Sequence, residues 1–287
     1  MTCGDCNSNA AGWLVSGSRE CPTCRAPFLV SDEVEFQRLQ KMLKERSPGR
    51  HTPFAQCMIA GRHNEGIDGR APNHKKSFKW YQLAADQKHA RAQYNLGVMY
   101  ENGMGVAQSH EEAVKWYQLA ADQGYADAQF NLGTMCANGT GVVQNHKQAV
   151  KWFRLAADEG NATAQYTLGV MCQNGRGVTQ SHEEAAKWFR RAADQGIADA
   201  QYNLGIRYYH GNGVVQSHVE SARWLRLAAA QGLATAKFQL GLMHWLGHGV
   251  ERDLDQAEHC WKLAANQGNE LAQRTLLKLA SERTSSQ

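Results

Sequence analysis

Trp80, Trp116, Trp152, Trp188 and Trp224 stand at intervals of 36 residues. Leucine-glycine pairs keep the same interval, at Leu96 and Gly97, Leu132 and Gly133, Leu168 and Gly169, Leu204 and Gly205, and Leu240 and Gly241. A Gly-x-Gly triplet follows each pair, opening at Gly103, Gly139, Gly175, Gly211 and Gly247. Several independent landmarks on one beat mean that one supersecondary unit is copied in tandem. The fold of the unit therefore sets the fold of most of the chain.

Each unit reads as two helices. In "ADAQFNLGTMCANGTGVVQNHKQAVKWFRLAADEG", residues 126–160, Ala128, Leu132, Met135 and Cys136 recur at helical spacing and form a buried stripe. Asn138 and Gly139 end that helix, because glycine tolerates the left-handed conformation of a helix stop. Asn145 with Gln148 starts the second helix. The pairs Ser109 and Glu112, Ser181 and Glu184, and Ser217 and Glu220 are parallel, so the spacing predicts a repeated capping box. Ala149, Trp152, Phe153 and Ala156 line the second helix, and Gly160 closes it. Ala128, Gly133, Ala156 and Ala157 are small where helices approach, and the tryptophan is expected to fill the space between them. On that reading Trp152→Ala removes about 3–5 kcal/mol. One hairpin cannot bury its apolar face alone, whereas stacked neighbours can, which predicts an all-α solenoid.

The stretch "AQYNLGVMYENGMGVAQSHEEAVKWYQLAADQG", residues 92–124, resembles a Sel1-like repeat. That family is related to tetratricopeptide repeats but has a longer Gly-x-Gly loop. The resemblance covers about four-fifths of the chain, roughly residues 53–283. It implies a scaffold or adaptor that holds other proteins and carries no catalysis. The ends depart from the pattern. In the first repeat Ile59 takes the leucine place, Ala60 the glycine place and Lys88 that of the closing glycine, and the first helix runs one residue out of step. Downstream, Cys260 takes the tryptophan place, Trp261 the next one, and Leu277 a glycine place in a last helix expected to cap the stack.

Composition narrows the rest. The chain has 287 residues, 43% hydrophobic, with 31 basic against 27 acidic residues and a net charge of +4. That balance is too mild and too interspersed to argue for nucleic acid. No apolar run approaches the roughly 18–20 residues of a membrane span, and the N-terminus lacks the pattern of a secretory signal. The cytoplasm is the expected location, with the nucleus as the alternative. Thiols stay reduced there, and the sequons at Asn138 and Asn161 are read as chance.

The Gly-x-Gly loops follow no strand and precede no Lys-Ser/Thr, so they read as turns and not as phosphate cradles. His74, His110, His146, His182 and His218 recur at the start of the second helices and read as first-turn surface or packing residues, too far apart to share a metal. Cys57, Cys136 and Cys172 read as reduced core thiols. Arg191 replaces a repeated leucine and reads as a stem over the edge of the core, with a partner contact as the alternative. Non-repeated first-helix residues, among them Arg207, Tyr209, His244 and Trp245, are the candidates for partner contact. No catalytic or cofactor-binding residue is expected.

The N-terminal segment differs in kind. Cys3 and Cys6 form one Cys-x2-Cys pair, and Cys21 and Cys24 another. Four thiolates in two such pairs suit tetrahedral zinc. A segment this short holds no core, so a structural metal would have to stabilise it. "CPTCRAPF", residues 21–28, resembles the closing ligand pair of a RING finger, and "CGDC", residues 3–6, would match the pair before it. A RING has four pairs in a cross-brace, and the first two are missing here. Three readings stand: a shortened RING, two pairs brought together on one zinc, or vestigial pairs. "SDEVEFQRLQKMLKER", residues 31–46, predicts a helix capped by Asp32 and Glu35, and residues 47–53 a hinge.

These readings divide the chain into a RING-like segment with four zinc-binding cysteines (1–30), a linker helix and hinge (31–52), a diverged first repeat (53–88), five further repeats (89–268) and a capping helix with tail (269–287). The function they imply is a protein-interaction scaffold with a structural zinc at its N-terminus. The alternative is a RING-type ubiquitin ligase that engages a ubiquitin-conjugating enzyme and recruits substrate through the solenoid.

Overall fold

The computed structural model describes residues 52–66 and 71–285. The four N-terminal cysteines and the helix expected over 31–46 lie outside the described residues. Among those described there are thirteen α-helices and no strand: α1 (Thr52–Glu65), α2 (His74–Asp86), α3 (Ala90–Asn102), α4 (His110–Ala121), α5 (Ala126–Asn138), α6 (His146–Asp158), α7 (Ala162–Asn174), α8 (His182–Asp194), α9 (Ala198–His210), α10 (His218–Ala230), α11 (Ala234–Leu246), α12 (Leu254–Ala265) and α13 (Glu270–Ser285). Odd-numbered helices open a hairpin and even-numbered ones close it, as the 36-residue period predicts. The described residues form two compact units, one of those through Ala92 with Gly103–Ala107, the other of Gln93–Asn102 with the described residues from Gln108 onward.

In the larger unit each hairpin is closed by the same set of bonds. Gly139 ends α5 at φ 74°, and its N–H reaches the Met135 carbonyl at 2.8 Å. Asn145 Oδ1 accepts the Gln148 N–H at 3.0 Å, and the hydroxyl oxygens of Ser109, Ser181 and Ser217 accept the equivalent N–H at 3.2 Å. Only half of the expected capping box forms. The cap residue's own N–H is already taken by the preceding helix: Ser109 donates to the Tyr100 carbonyl at 3.0 Å and Asn145 to that of Cys136 at 2.8 Å. With that N–H already donated elsewhere, the Glu112 carboxylate turns outward and accepts from Lys115, 2.6 Å away.

The core assigns the two aromatic positions differently from the sequence reading. Trp116 and Trp152 are only half-buried, whereas the residues after them, Tyr117 and Phe153, are 0% and 2% exposed. It is this second residue that sits on the glycine of the Leu-Gly pair. A Cβ on Gly133 would lie 2.8 Å from the Phe153 ring, and one on Gly169 would lie 2.7 Å from Phe189. The first helix needs glycine there so that an aromatic ring can lie against its backbone. At the last hairpin Cys260 is half-buried and Trp261 fills the pocket at 2% exposure. Where the repeated tryptophan is itself buried, at Trp188 and Trp224, guanidinium groups lie over it. Arg191 is 4.6 Å from the Trp188 ring and Arg190 5.6 Å from Trp224. Arg191 also donates to the Ala157 carbonyl at 3.1 Å, so its guanidinium ties two hairpins together.

The second glycine of each loop explains the Gly-x-Gly spacing. Gly141, at φ 66°, lies on the backbone of His110, and Gly177 and Gly213 lie likewise on His146 and His182, leaving no room for a Cβ. Loop and preceding helix start thus touch backbone to backbone, and the recurring histidine marks the contact point.

The smaller unit holds α1 and α2, with Cys57, Ile59, Ala60, Tyr81 and Ala84 buried. The Asn73 N–H reaches the His63 carbonyl at 2.7 Å, a span of ten residues where the other hairpins span nine. This is the extra residue that puts the first repeat out of step. Lys88 takes φ 63° where the later repeats have glycine.

Candidate interaction surface

The second helices cover one side of each first helix and leave the other partly open. In α5 the open stripe is Asp127, Asn131 and Thr134, spaced i, i+4, i+7 along one face. In α7 it is Thr163, Thr167 and Val170, in α9 Asp199, Asn203 and Ile206, and in α11 Thr235, Gln239 and Leu242. Within the larger unit these stripes succeed one another. Beside them Tyr94 packs on Tyr117 and Tyr125, with ring centroids 5.8 and 5.1 Å apart, and Tyr166 packs on Phe189 at 5.8 Å. Burial, and then the carboxylate of Asp127, pushes the Tyr94 hydroxyl above its usual range, and burial followed by Asp199 does the same for Tyr166.

The stripe carries two kinds of position. Its second position stays polar, whereas the third is Val98 on α3, then Thr134, Val170, Ile206 and Leu242, apolar in every helix but α5. A surface with one polar and one apolar margin suits an amphipathic segment of another protein.

The four non-repeated residues picked from the sequence do not form one site. Arg207 is 5% exposed and belongs to the core. Its Nη1 donates to the His182 and Asn212 carbonyls, each at 3.2 Å, its Nη2 donates to Gln173 Oε1 at 2.8 Å, and the guanidinium lies 5.0 Å over Phe189. Tyr209 is half-buried and held by His248, whose Nδ1 is 2.9 Å from the phenol oxygen, and His248 stacks on His218 at 4.6 Å. His244 is half-buried, with Nδ1 enclosed and unpartnered. Trp245 is the one of the four that faces solvent, 43% exposed. Helical spacing alone does not separate a residue on the open stripe from one aimed at the next hairpin.

Glutamines form a second repeated device that the sequence reading passed over, although they keep the 36-residue beat. Gln195 Nε2 donates to Gln165 Oε1 at 2.8 Å and to the Gly160 carbonyl at 3.0 Å, and Gln231 repeats this with Gln201 and Gly196. Gln123 joins Gln93 in the same way at 2.6 Å. Glu159 interrupts the series: a carboxylate donates nothing, and the buried Gln129 Oε1 is left without a partner.

The thiols of Cys136 and Cys172 are buried and raised above the usual range by that burial, and the Cys57 thiol is pushed up to about 11. Such thiols are poor nucleophiles. Among the described residues no group of three or more His, Cys, Asp or Glu side chains is placed to hold a metal ion, and no helix is long and apolar enough to cross a membrane. Cys3, Cys6, Cys21 and Cys24 lie outside these residues.

Stacked hairpins with an open first-helix stripe define a helical-repeat solenoid. The Sel1 repeat pattern matches residues 53–89, 90–125, 126–161, 162–197, 198–233 and 234–269, and the chain belongs to the Sel1 repeat family. Two solved structures share 34% sequence identity with it. One is c5321, a protective antigen present in uropathogenic Escherichia coli strains displaying an SLR fold, with a TM-score of 0.77 over 83% of this chain and 50% of that one. The other is a Sel1 repeat protein from Oxalobacter formigenes, with a TM-score of 0.67 over 70% of this chain and 83% of that one. The chain spans about half the length of the c5321 antigen. No match was found among functionally curated proteins.

Proposed function

We propose that the solenoid is a protein-interaction scaffold and that the open stripe of the first helices is where a partner is held. One observation carries the reading. Positions that close the hairpins keep their residue type from repeat to repeat, whereas the third stripe position, half-exposed, varies among Val98, Thr134, Val170, Ile206 and Leu242. Fixed structural positions beside a varied surface are what a scaffold with a chosen partner requires. A photo-crosslinking amino acid at Asn203, compared with the same group at exposed Lys115 on α4, tests it in cell extract. The reading expects one dominant protein captured from Asn203 and absent from Lys115. Equal capture at both positions overturns it.

The cysteine pairs support a second element of the proposal, one structural zinc held by Cys3, Cys6, Cys21 and Cys24. Metal analysis of the purified full chain decides between one zinc and none. The resemblance of "CPTCRAPF" to the end of a RING supports the alternative of a ubiquitin ligase with the solenoid as substrate recruiter. Autoubiquitination with a conjugating enzyme, abolished by Cys24→Ala, would favour that alternative, and its absence would favour the scaffold.

A further inference from the structure

We propose that a groove between α8 and the following loop is a second docking site, built for an extended acidic segment of a partner protein with an aliphatic side chain between its carboxylates. The groove encloses about 610 Å³ and is open to solvent. One wall is a single face of α8, formed by Glu183, Ala186, Lys187 and Arg190 at i, i+3, i+4 and i+7. The opposite wall is the loop of the next repeat, including Val214 and Val215.

The two walls are fixed to one another by a close backbone contact and by a buried side chain. Gly213 lies against the backbone of His182 at the start of α8. The buried Arg207 clasps both sides, donating to the Asn212 carbonyl in the loop and the His182 carbonyl on the helix. Arg207 replaces the methionine found at the equivalent position of other repeats, Met135, Met171 and Met243. It is a buried cation with no carboxylate partner among the described residues. Such a group is unfavourable in a core, and here it holds the groove open in one shape.

Charge selects the occupant. Arg190 is set in place before any ligand arrives: its guanidinium bonds the Tyr208 hydroxyl and lies 5.5 Å over that ring and 5.6 Å over Trp224. Among the described residues it pairs with no carboxylate. Lys187, one turn away, has only the exposed Glu184 at 3.0 Å. Arg154 and Arg226 occupy the same position on α6 and α10 and form no ion pair among the described residues, so the positive charge continues on both sides. A fixed guanidinium binds a carboxylate without the entropy loss of ordering a free side chain. Val215, 88% exposed beside Ala186, offers the apolar contact. Glu183 at the far end of the α8 face repels a uniformly anionic chain and so favours a short acidic stretch with a polar or cationic flank.

The test uses the full chain and a dye-labelled peptide, Lys-Ser-Asp-Glu-Leu-Asp-Glu-Ser-Gly, followed by fluorescence anisotropy. The amide version, with Asn and Gln in place of Asp and Glu, is the comparison. The acidic peptide is expected to bind at least about tenfold more tightly than the amide version. Lys187→Glu and Val215→Ser, both on exposed side chains, are each expected to weaken it while circular dichroism stays unchanged. Arg190→Glu should weaken it most. Thr163→Arg on the first-helix stripe should leave it unaltered, which separates this site from the scaffold surface. Equal binding of the two peptides, or indifference to both Lys187→Glu and Val215→Ser, overturns the proposal. So does tighter binding of single-stranded oligothymidylate than of the acidic peptide, which would make the groove part of a general polyanion surface.

Discussion

At the scale of single residues, the second aromatic position matters more than the tryptophan that first reveals the repeat. Phe153 is fully enclosed against Gly133, while Trp152 is half in solvent. Phe153→Ala is expected to destabilise the protein by about 3–5 kcal/mol. Trp152→Ala should cost roughly 1–2 kcal/mol, since less of its surface leaves water on folding. Denaturant unfolding of the two variants checks the order, and a larger loss at Trp152 would contradict the core described here. Glu159 offers a gain. In Glu159→Gln the new amide can donate to Gln129 Oε1, as Gln195 does to Gln165. Supplying that missing hydrogen bond is expected to add about 1 kcal/mol, visible as a higher midpoint of unfolding.

At the scale of the hairpin, the helices, their stops and their caps were legible from spacing, because each depends on local chemistry that recurs every 36 residues. Ser109 as a cap and Gly139 as a stop need no knowledge of distant neighbours. What spacing did not show are contacts whose partners lie in the next hairpin or on the preceding helix. The Ser109 N–H bonds Tyr100, Arg207 reaches back to Gln173, and Gly141 lies on His110. Arg207 accordingly read as a surface residue although it is enclosed, and the open stripe became visible only once the covered side was known. The diverged first repeat gives a direct test of local rules. Lys88 holds φ 63°, a conformation that costs an L-residue about 1–2 kcal/mol relative to glycine. Lys88→Gly is expected to recover part of this, about 1 kcal/mol, in thermal or urea unfolding, and a loss of stability would show that the lysine side chain holds the turn.

At the scale of the whole molecule, a solenoid gains its stability from neighbour to neighbour, and a terminal hairpin has one neighbour fewer. The last helix, α13, leaves Leu271 and Leu277 largely exposed and buries Ala272 against Trp261 and Ala264. Hydrogen exchange should therefore be fast through α13 and slowest in α7 and α8, inside the largest core cluster. Uniform protection along the chain would mean that the repeats unfold as one unit. The central claim is that partner binding resides on the open stripe of the first helices. Its most direct measurement is the affinity of the protein captured from Asn203 for the double variant Thr163→Arg, Asp199→Arg, set against Lys115→Glu on a second helix, by calorimetry. The account predicts at least about a tenfold loss for the double variant and none for Lys115→Glu. An unchanged affinity for the double variant, with loss at Lys115, would contradict it.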